Sequence, residues 1–175
     1  QLAAIISSDL QRAMQTAGEI ARLQGISTRI DAALRERCFG DFEGKLYSEL
    51  PELYPDEYAH WRSRDPDFHF PAKQDDANNV GESIREFQQR TINAILHYAA
   101  QFEGKRIAIV AHGGVLECAY RAAMNLPLNA ERTITIYNAS INRFSCENGQ
   151  LSLIDWGNIT HLGNEILDEI AGAAN

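Results

Sequence analysis

Several things are scarce in this chain, and each scarcity removes a class of function. Cysteine is rare: Cys38, Cys118 and Cys146 stand far apart, odd in number and without a CxxC pair. That excludes a disulfide framework and a cysteine-built metal site, and reads as free thiols in a reducing, cytoplasmic compartment. Positive charge is also in short supply, with 16 Lys and Arg against 24 Asp and Glu, a net charge of −8 and no basic run. Nucleic acid and an anionic membrane surface are therefore excluded as partners. A phosphorylated small molecule is not, because a pocket can be locally cationic within an acidic protein. No apolar run approaches the roughly 20 residues that span a bilayer. There is no internal repeat and no interdomain linker, and 175 residues suit one domain. The chain lacks an initiating Met and opens at Gln1 already inside an apolar run, so we expect polypeptide upstream of it.

What is present is organised around Arg106-Ile-Ala-Ile-Val-Ala-His-Gly-Gly-Val115. Ile107 to Ala111 is a short apolar run rich in β-branched residues, the pattern of a parallel strand buried on both faces. After Gly114 the spacing turns helical, with Leu116, Ala119, Tyr120 and Ala123 on one side. His112 thus sits where a central strand gives way to a helix, the edge of an open α/β sheet at which ligands bind. Gly113 and Gly114 allow backbone N–H groups to approach an anion there. The same turn also serves purely structural ends.

Leu2 to Ile6 reads as another buried strand. Ser8 and Gln11 have the spacing of a capping box, ahead of a helix with Leu10, Ala13, Met14, Ala17, Ile20, Ala21 and Leu23 on its apolar side and Gly25 at its end. Arg12 falls in its first turn, where a cation opposes the helix dipole unless an anion lies nearby; a plain surface arginine is the other reading. Ser27 to Ile30 suits a short strand. Leu34 to Gly44 mixes charge, aromatics and glycine without a period and reads as a working loop, with Glu36, Asp41 and Glu43 as its carboxylates. Asp41 and Glu43 are expected to be solvated. Weak helices broken by Pro51 and Pro55 follow, then a polar surface loop over residues 63–80 that could serve as a lid. Gly81-Glu-Ser83 opens the longest helix, with Ile84, Phe87, Thr91, Ile95, Tyr98, Ala99 and Phe102 as its apolar stripe. Thr133 to Tyr137, Ser140 to Ser145 and Leu151 to Trp156 are strand-like, the last two joined at Asn148-Gly149. Ile166 to Ala171 suits a last short helix. The other histidines, His60, His69, His97 and His161, lie in helical or loop contexts that read as surface positions.

Five of these segments, in order, resemble the histidine phosphatase superfamily, the phosphoglycerate-mutase-like fold: Ile6 to Thr16, Leu34 to Gly44, Gly81 to Ser83, Val110 to Gly114, and Asn138-Ala-Ser140. The resemblance implies an α/β fold with a mostly parallel central sheet, helices on both faces and one antiparallel strand near the C-terminal end. Strands 3–6 and 107–111 would be parallel neighbours. Residues 1–175 would form one histidine-phosphatase-like domain lacking its first strand and following helix. It further implies a two-histidine phosphate pocket. His112 matches the second histidine, Arg12 one of the arginines that hold phosphate oxygens, and Glu36 the acid that protonates the leaving oxygen, with Arg37 and Gly113 as further substrate contacts. The chemistry agrees: phosphoryl transfer needs positioned positive charge, Arg binds phosphate oxygens bidentately, and a leaving alkoxide needs a proton donor. No metal or cofactor is implied.

The family's Arg-His-Gly tripeptide, which carries the nucleophilic histidine and a second arginine, does not occur in these 175 residues. In the fold its strand lies between strand 107–111 and the strand near 140–145. We therefore expect the polypeptide to extend upstream of Gln1, or a cleaved piece or partner strand to occupy that place. The expected activity is phosphomonoester hydrolysis through a phosphohistidine, on a small phosphorylated metabolite, with inorganic phosphate as the minimal ligand. The short stretch between the Phe39-to-Gly44 segment and Gly81 favours a hydrolase. Arg37 directly after Glu36 keeps a phosphoglycerate mutase open as the alternative, and the missing nucleophile keeps a non-catalytic phosphate binder open. A homodimer is compatible with the sequence.

Overall fold

The computed structural model describes residues 1–73, 79 and 81–162. At its centre are three parallel strands, β1 (Ala4–Ser7), β2 (Thr28–Ile30) and β3 (Ile107–Val110), in the order β2-β1-β3. The expected pairing of the first strand with the His112 strand is present, with Ala4 opposite Ile107 and Ser7 opposite Val110. All four residues of β1 are buried, because it has a strand on each side and helices above and below. β3 is only half-buried, contrary to the expectation for residues 107–111; it is an edge strand of this sheet.

Alternation of side chains along a strand divides the sheet's two faces. Ala4, Ile6, Ile107 and Ile109 face α4 (Ile84–Gln101), whose Ala94, Ile95 and Tyr98 pack on them. Ile5 points the other way, and α1 (Gln11–Gln24) packs against all three strands through a side that buries Ala13 and Ala17. Ser83 caps α4 with a complete capping box, its hydroxyl accepting from Glu86 N–H while the Glu86 carboxylate takes Ser83 N–H. The capping box expected at Ser8 and Gln11 does not form. Leu10 precedes α1 without a side-chain cap, and the Ser8 hydroxyl is turned inward.

Between β2 and α4 lies an aromatic cap. Pro51 and Pro55 open α2 (Leu50–Leu53) and α3 (Pro55–Arg62) at positions where no backbone N–H is needed, so they start helices where they were expected to interrupt them. Phe42, Leu50 and Phe70 are buried together, with Phe39, Tyr54, Trp61 and Phe68 packed round them. Phe70, 1% exposed, anchors a segment that the sequence presents as a surface loop. It passes between Gly40 and Gly81, where an added Cβ would lie 2.2 Å from Pro71 O and 2.3 Å from Phe70 Cβ respectively. Asp41 is buried rather than solvated: it accepts from the Tyr54 hydroxyl and pairs with Lys45 at 3.0 Å.

α5 (Gly113–Ala123) follows β3. The C-terminal part is a hairpin of β4 (Ile141–Glu147) and β5 (Gln150–Asn158), turning at Asn148 and Gly149, both with positive φ. The antiparallel element expected there is present, as the two-stranded sheet that this hairpin forms. Thr133 to Tyr137 is not a strand. Its Ile136 is fully buried and Thr135 O accepts from the Trp156 indole N–H at 2.9 Å, so the segment is fixed by packing and a side-chain bond without a ladder. Ile166 to Ala171 lies outside the described residues. Among those described, no helix is long and apolar enough to cross a membrane.

Candidate functional site

The register of β1 and β3 ends both strands at the same edge. Ser8 N–H donates to Val110 O (3.0 Å), and just past the strand ends Ser8 and His112 meet side by side. Ser8 Oγ lies 2.8 Å from His112 Nε2, and both residues are essentially inaccessible to solvent. Burial, and then the nearby Arg12 guanidinium, disfavour the charged ring; the Asp9 carboxylate opposes them, and the net effect lowers the His112 pKa from 6.5 to about 4. The ring is therefore neutral at pH 7. Nε2 is engaged by Ser8, while Nδ1 makes no hydrogen bond with the described residues. The four other histidines are exposed, as expected of them.

Arg12 stands in the first turn of α1, exposed, and close enough to His112 for its charge to act on the ring. Its guanidinium has no hydrogen-bond partner among the described residues. The helix dipole argument made this a poor place for a cation, and no fold-internal contact accounts for it.

Glu36 comes from the loop after a short 3-10 turn at Ala32–Leu34 and reaches the start of α5. Its Oε2 accepts from Gly114 N–H (2.9 Å) and its Oε1 from Arg37 N–H (2.8 Å). The absence of a side chain at Gly114 permits this approach, since a Cβ there would sit 2.1 Å from Oε1. Gly113, buried, is the first residue of the helix, with the unshared N–H groups of a helix start. Arg37 is held apart from His112's immediate surroundings. Its Nε donates to Glu82 O (2.9 Å), and its guanidinium lies over Phe70 (4.8 Å to the ring centre) and Phe39 (5.7 Å). Burial in this position brings its pKa down to about 10.

The structure thus brings His112, Arg12, Glu36 and Gly113 to one edge of the sheet, with Arg37 adjoining through Glu36. Four participants were missed in the sequence. Ser8, the His112 partner, was taken for a helix cap. Asp9 and Arg35 form a two-pronged ion pair across the turn, Nε to Oδ1 at 2.7 Å and Nη2 to Oδ2 at 2.5 Å. Glu82 ties the loop together: its carboxylate takes both prongs of Arg90 (2.7 Å each) and Cys38 N–H (3.2 Å). The available signal was position alone, since Ser8 and Asp9 follow a strand as His112 does. A shallow concavity lined by Ala3, Gly104 and Arg106 lies at the opposite, amino ends of β1 and β3, away from this chemistry.

Comparison with known proteins points the same way. The model of the histidine phosphatase superfamily (branch 1) matches residues 1–159. The chain is 33% identical over 160 residues to phosphoglycerate mutase-like protein 4 of Arabidopsis thaliana, covering 90% of this chain and 65% of that protein. It is 32% identical over 171 residues to the probable phosphoglycerate mutase GpmB of Salmonella arizonae, covering 95% and 76%. Among solved structures it is similar to Bacillus stearothermophilus YhfR, with a TM-score of 0.77 at 26% identity, over 93% of this chain and 77% of that one. It is also similar to a mycobacterial glucosyl-3-phosphoglycerate phosphatase in complex with inorganic phosphate, with a TM-score of 0.71 at 25% identity, over 93% and 80%.

Proposed function

The chain belongs to the histidine phosphatase superfamily, and on that footing we propose that it serves as a phosphomonoester hydrolase for a small phosphorylated metabolite, in the cytoplasm. The phosphoryl group would pass through a phosphohistidine to water. The observation that carries this reading is the gathering of a neutral buried His112, an Arg12 whose guanidinium has no partner among the described residues, and the Glu36 carboxylate on Gly114 at one sheet edge. In the proposed reaction, Arg12 and the His112 ring hold the oxygens of the transferring group, where preorganised donors act most strongly. Gly113 N–H adds a helix-start donor. Glu36 gives its proton to the leaving oxygen, then takes one from the water that opens the phosphohistidine. Arg37 contacts the remainder of the substrate. The nucleophile belongs to the Arg-His-Gly segment of the family pattern, so activity is to be tested on the gene-encoded protein.

That protein should release phosphate from an aryl phosphate. Glu36→Gln should slow alkyl phosphates about a hundredfold, and aryl phosphates, whose leaving oxygen needs little protonation, only slightly. Equal losses on both would remove Glu36 from the role of acid. Arg37 directly after Glu36 supports a second reading, a phosphoglycerate mutase; phosphoryl movement between positions of phosphoglycerate without release would establish it. Phosphate binding with no turnover would leave a non-catalytic binder.

A further inference from the structure

A carboxylate at the mouth of an anion site repels the ligand, and Asp9 is such a carboxylate. It follows Ser8, whose hydroxyl touches His112, and its charge reaches the His112 ring. None of the roles assigned so far uses it. Both its oxygens are taken by Arg35, in the parallel two-bond geometry that Arg alone can offer. The pair links the turn after β1 to the loop that carries Glu36. That loop does not depend on the pair for its place: Arg35 O also accepts from Arg90 (3.2 Å), which Glu82 holds, and Glu36 is fixed on Gly114. Arg35 is about half exposed, so the pair adds little to folding stability. Its electrostatic effect on an incoming dianion is larger. The Arg35 hydrogen bonds lower the Asp9 pKa, and a carboxylate is ionised at neutral pH with or without them. Were Arg35 absent, the uncancelled Asp9 carboxylate, whose charge already reaches the His112 ring, would repel the phosphoryl group held there.

We propose that Arg35 is a charge-cancelling positioning residue of the phosphate site: its fork on Asp9 keeps that carboxylate from repelling the phosphoryl group. The proposal rests on the phosphoryl-transfer reading above. It differs from a structural clamp in one respect that can be measured, namely that removing Asp9 as well should repair the damage.

The test uses the full-length protein and inorganic phosphate as the probe, followed by calorimetry at low and high salt. Arg35→Gln should weaken phosphate binding about tenfold at low ionic strength, and by less at 0.5 M salt, on the order of the screening expected there. Arg35→Lys should keep most of the affinity. The double variant Arg35→Gln, Asp9→Asn should return to within about twofold of the parent. An unchanged Arg35→Gln protein would overturn the proposal, as would a double variant no better than Arg35→Gln. Parent protein that binds no phosphate would overturn the phosphoryl-transfer reading, and this one with it.

Discussion

At the proposed phosphate edge, the decisive bonds join residues far apart in the chain. Ser8 meets His112 across 104 positions, and Glu36 meets Gly114 across 78. In the aromatic cap, Phe42 lies 5.1 Å from Phe70 and 5.0 Å from Tyr54, and Trp61 meets both Phe42 and Phe70 edge-on at 5.9 Å. All of these rings come from one short section of chain. The edge is polar, with Ser8 and His112 buried, and it is held by a few specific hydrogen bonds. The cap is apolar and redundant, with Phe42, Trp61 and Phe70 each touching several other rings. A region of the first kind carries chemistry and little stability; a region of the second kind carries stability, and its contribution can be withdrawn in portions. The two regions meet at Arg37, bonded to the edge through Glu36 and stacked on the cap through Phe70.

The sharpest way to break this division is Phe70→Ala. Removing a fully buried ring from the centre of the cap should cost about 3–5 kcal/mol, read as a lower urea midpoint, while phosphate affinity of the folded protein stays within about twofold. Loss of stability and phosphate binding together would mean that the cap and the edge form one unit.

His112→Ala tests the edge from the other side. It should lower kcat by roughly 10² or more, the usual cost of a preorganised donor, on the order of 2.7 kcal/mol. The same ring leaves a mark on acid stability. Its folded pKa, about 4, lies below its ordinary 6.5. Between those values the unfolded chain binds the proton and the folded chain does not, so stability falls as pH drops from 6.5 to 4, by up to about 3 kcal/mol. Urea titrations across that range should show His112→Ala with a flatter dependence than the parent. Identical slopes would mean that the ring is protonated in the folded protein.

Gly114→Ala is the smallest change and the most local. The new methyl would displace the Glu36 carboxylate and press on the buried Phe87 ring, whose Cε1 lies 3.0 Å from the added Cβ, so stability should fall by about 1–3 kcal/mol. Turnover of alkyl phosphates should fall about tenfold through misplacement of the acid, and that of aryl phosphates much less. A folded variant with full alkyl activity would show that the Gly114 contact is dispensable.

Much of the edge was legible in the sequence because strand ends announce themselves. The apolar run before His112, the two glycines after it and the charged segment around Glu36 are local patterns, and each led to the right element. Ser8 was misread because Ser-x-x-Gln is also a capping pattern, and the competing claim on its hydroxyl comes from a residue 104 positions away. Asp41 was misread for the same reason: only the folded loop brings Tyr54 and Lys45 to it. Thr133 to Tyr137 has a strand's composition, yet composition supplies no partner strand. Phe70 lies in a polar stretch, and its burial depends on room left by Gly40 and Gly81, which no hydrophobic pattern records.

The alignment of β1 with β3 acts as a reading frame for function. Ser7 opposite Val110 is what sets Ser8 beside His112. A slip of one residue would turn alternate side chains to the other face of the sheet, separating the serine from the imidazole and pointing the ring away from Arg12. Such a frame-shifted molecule would keep its helices and strands, and circular dichroism would score it as intact. A ligand would report the error, so on the proposed reading phosphate binding doubles as a proofreading assay for the fold.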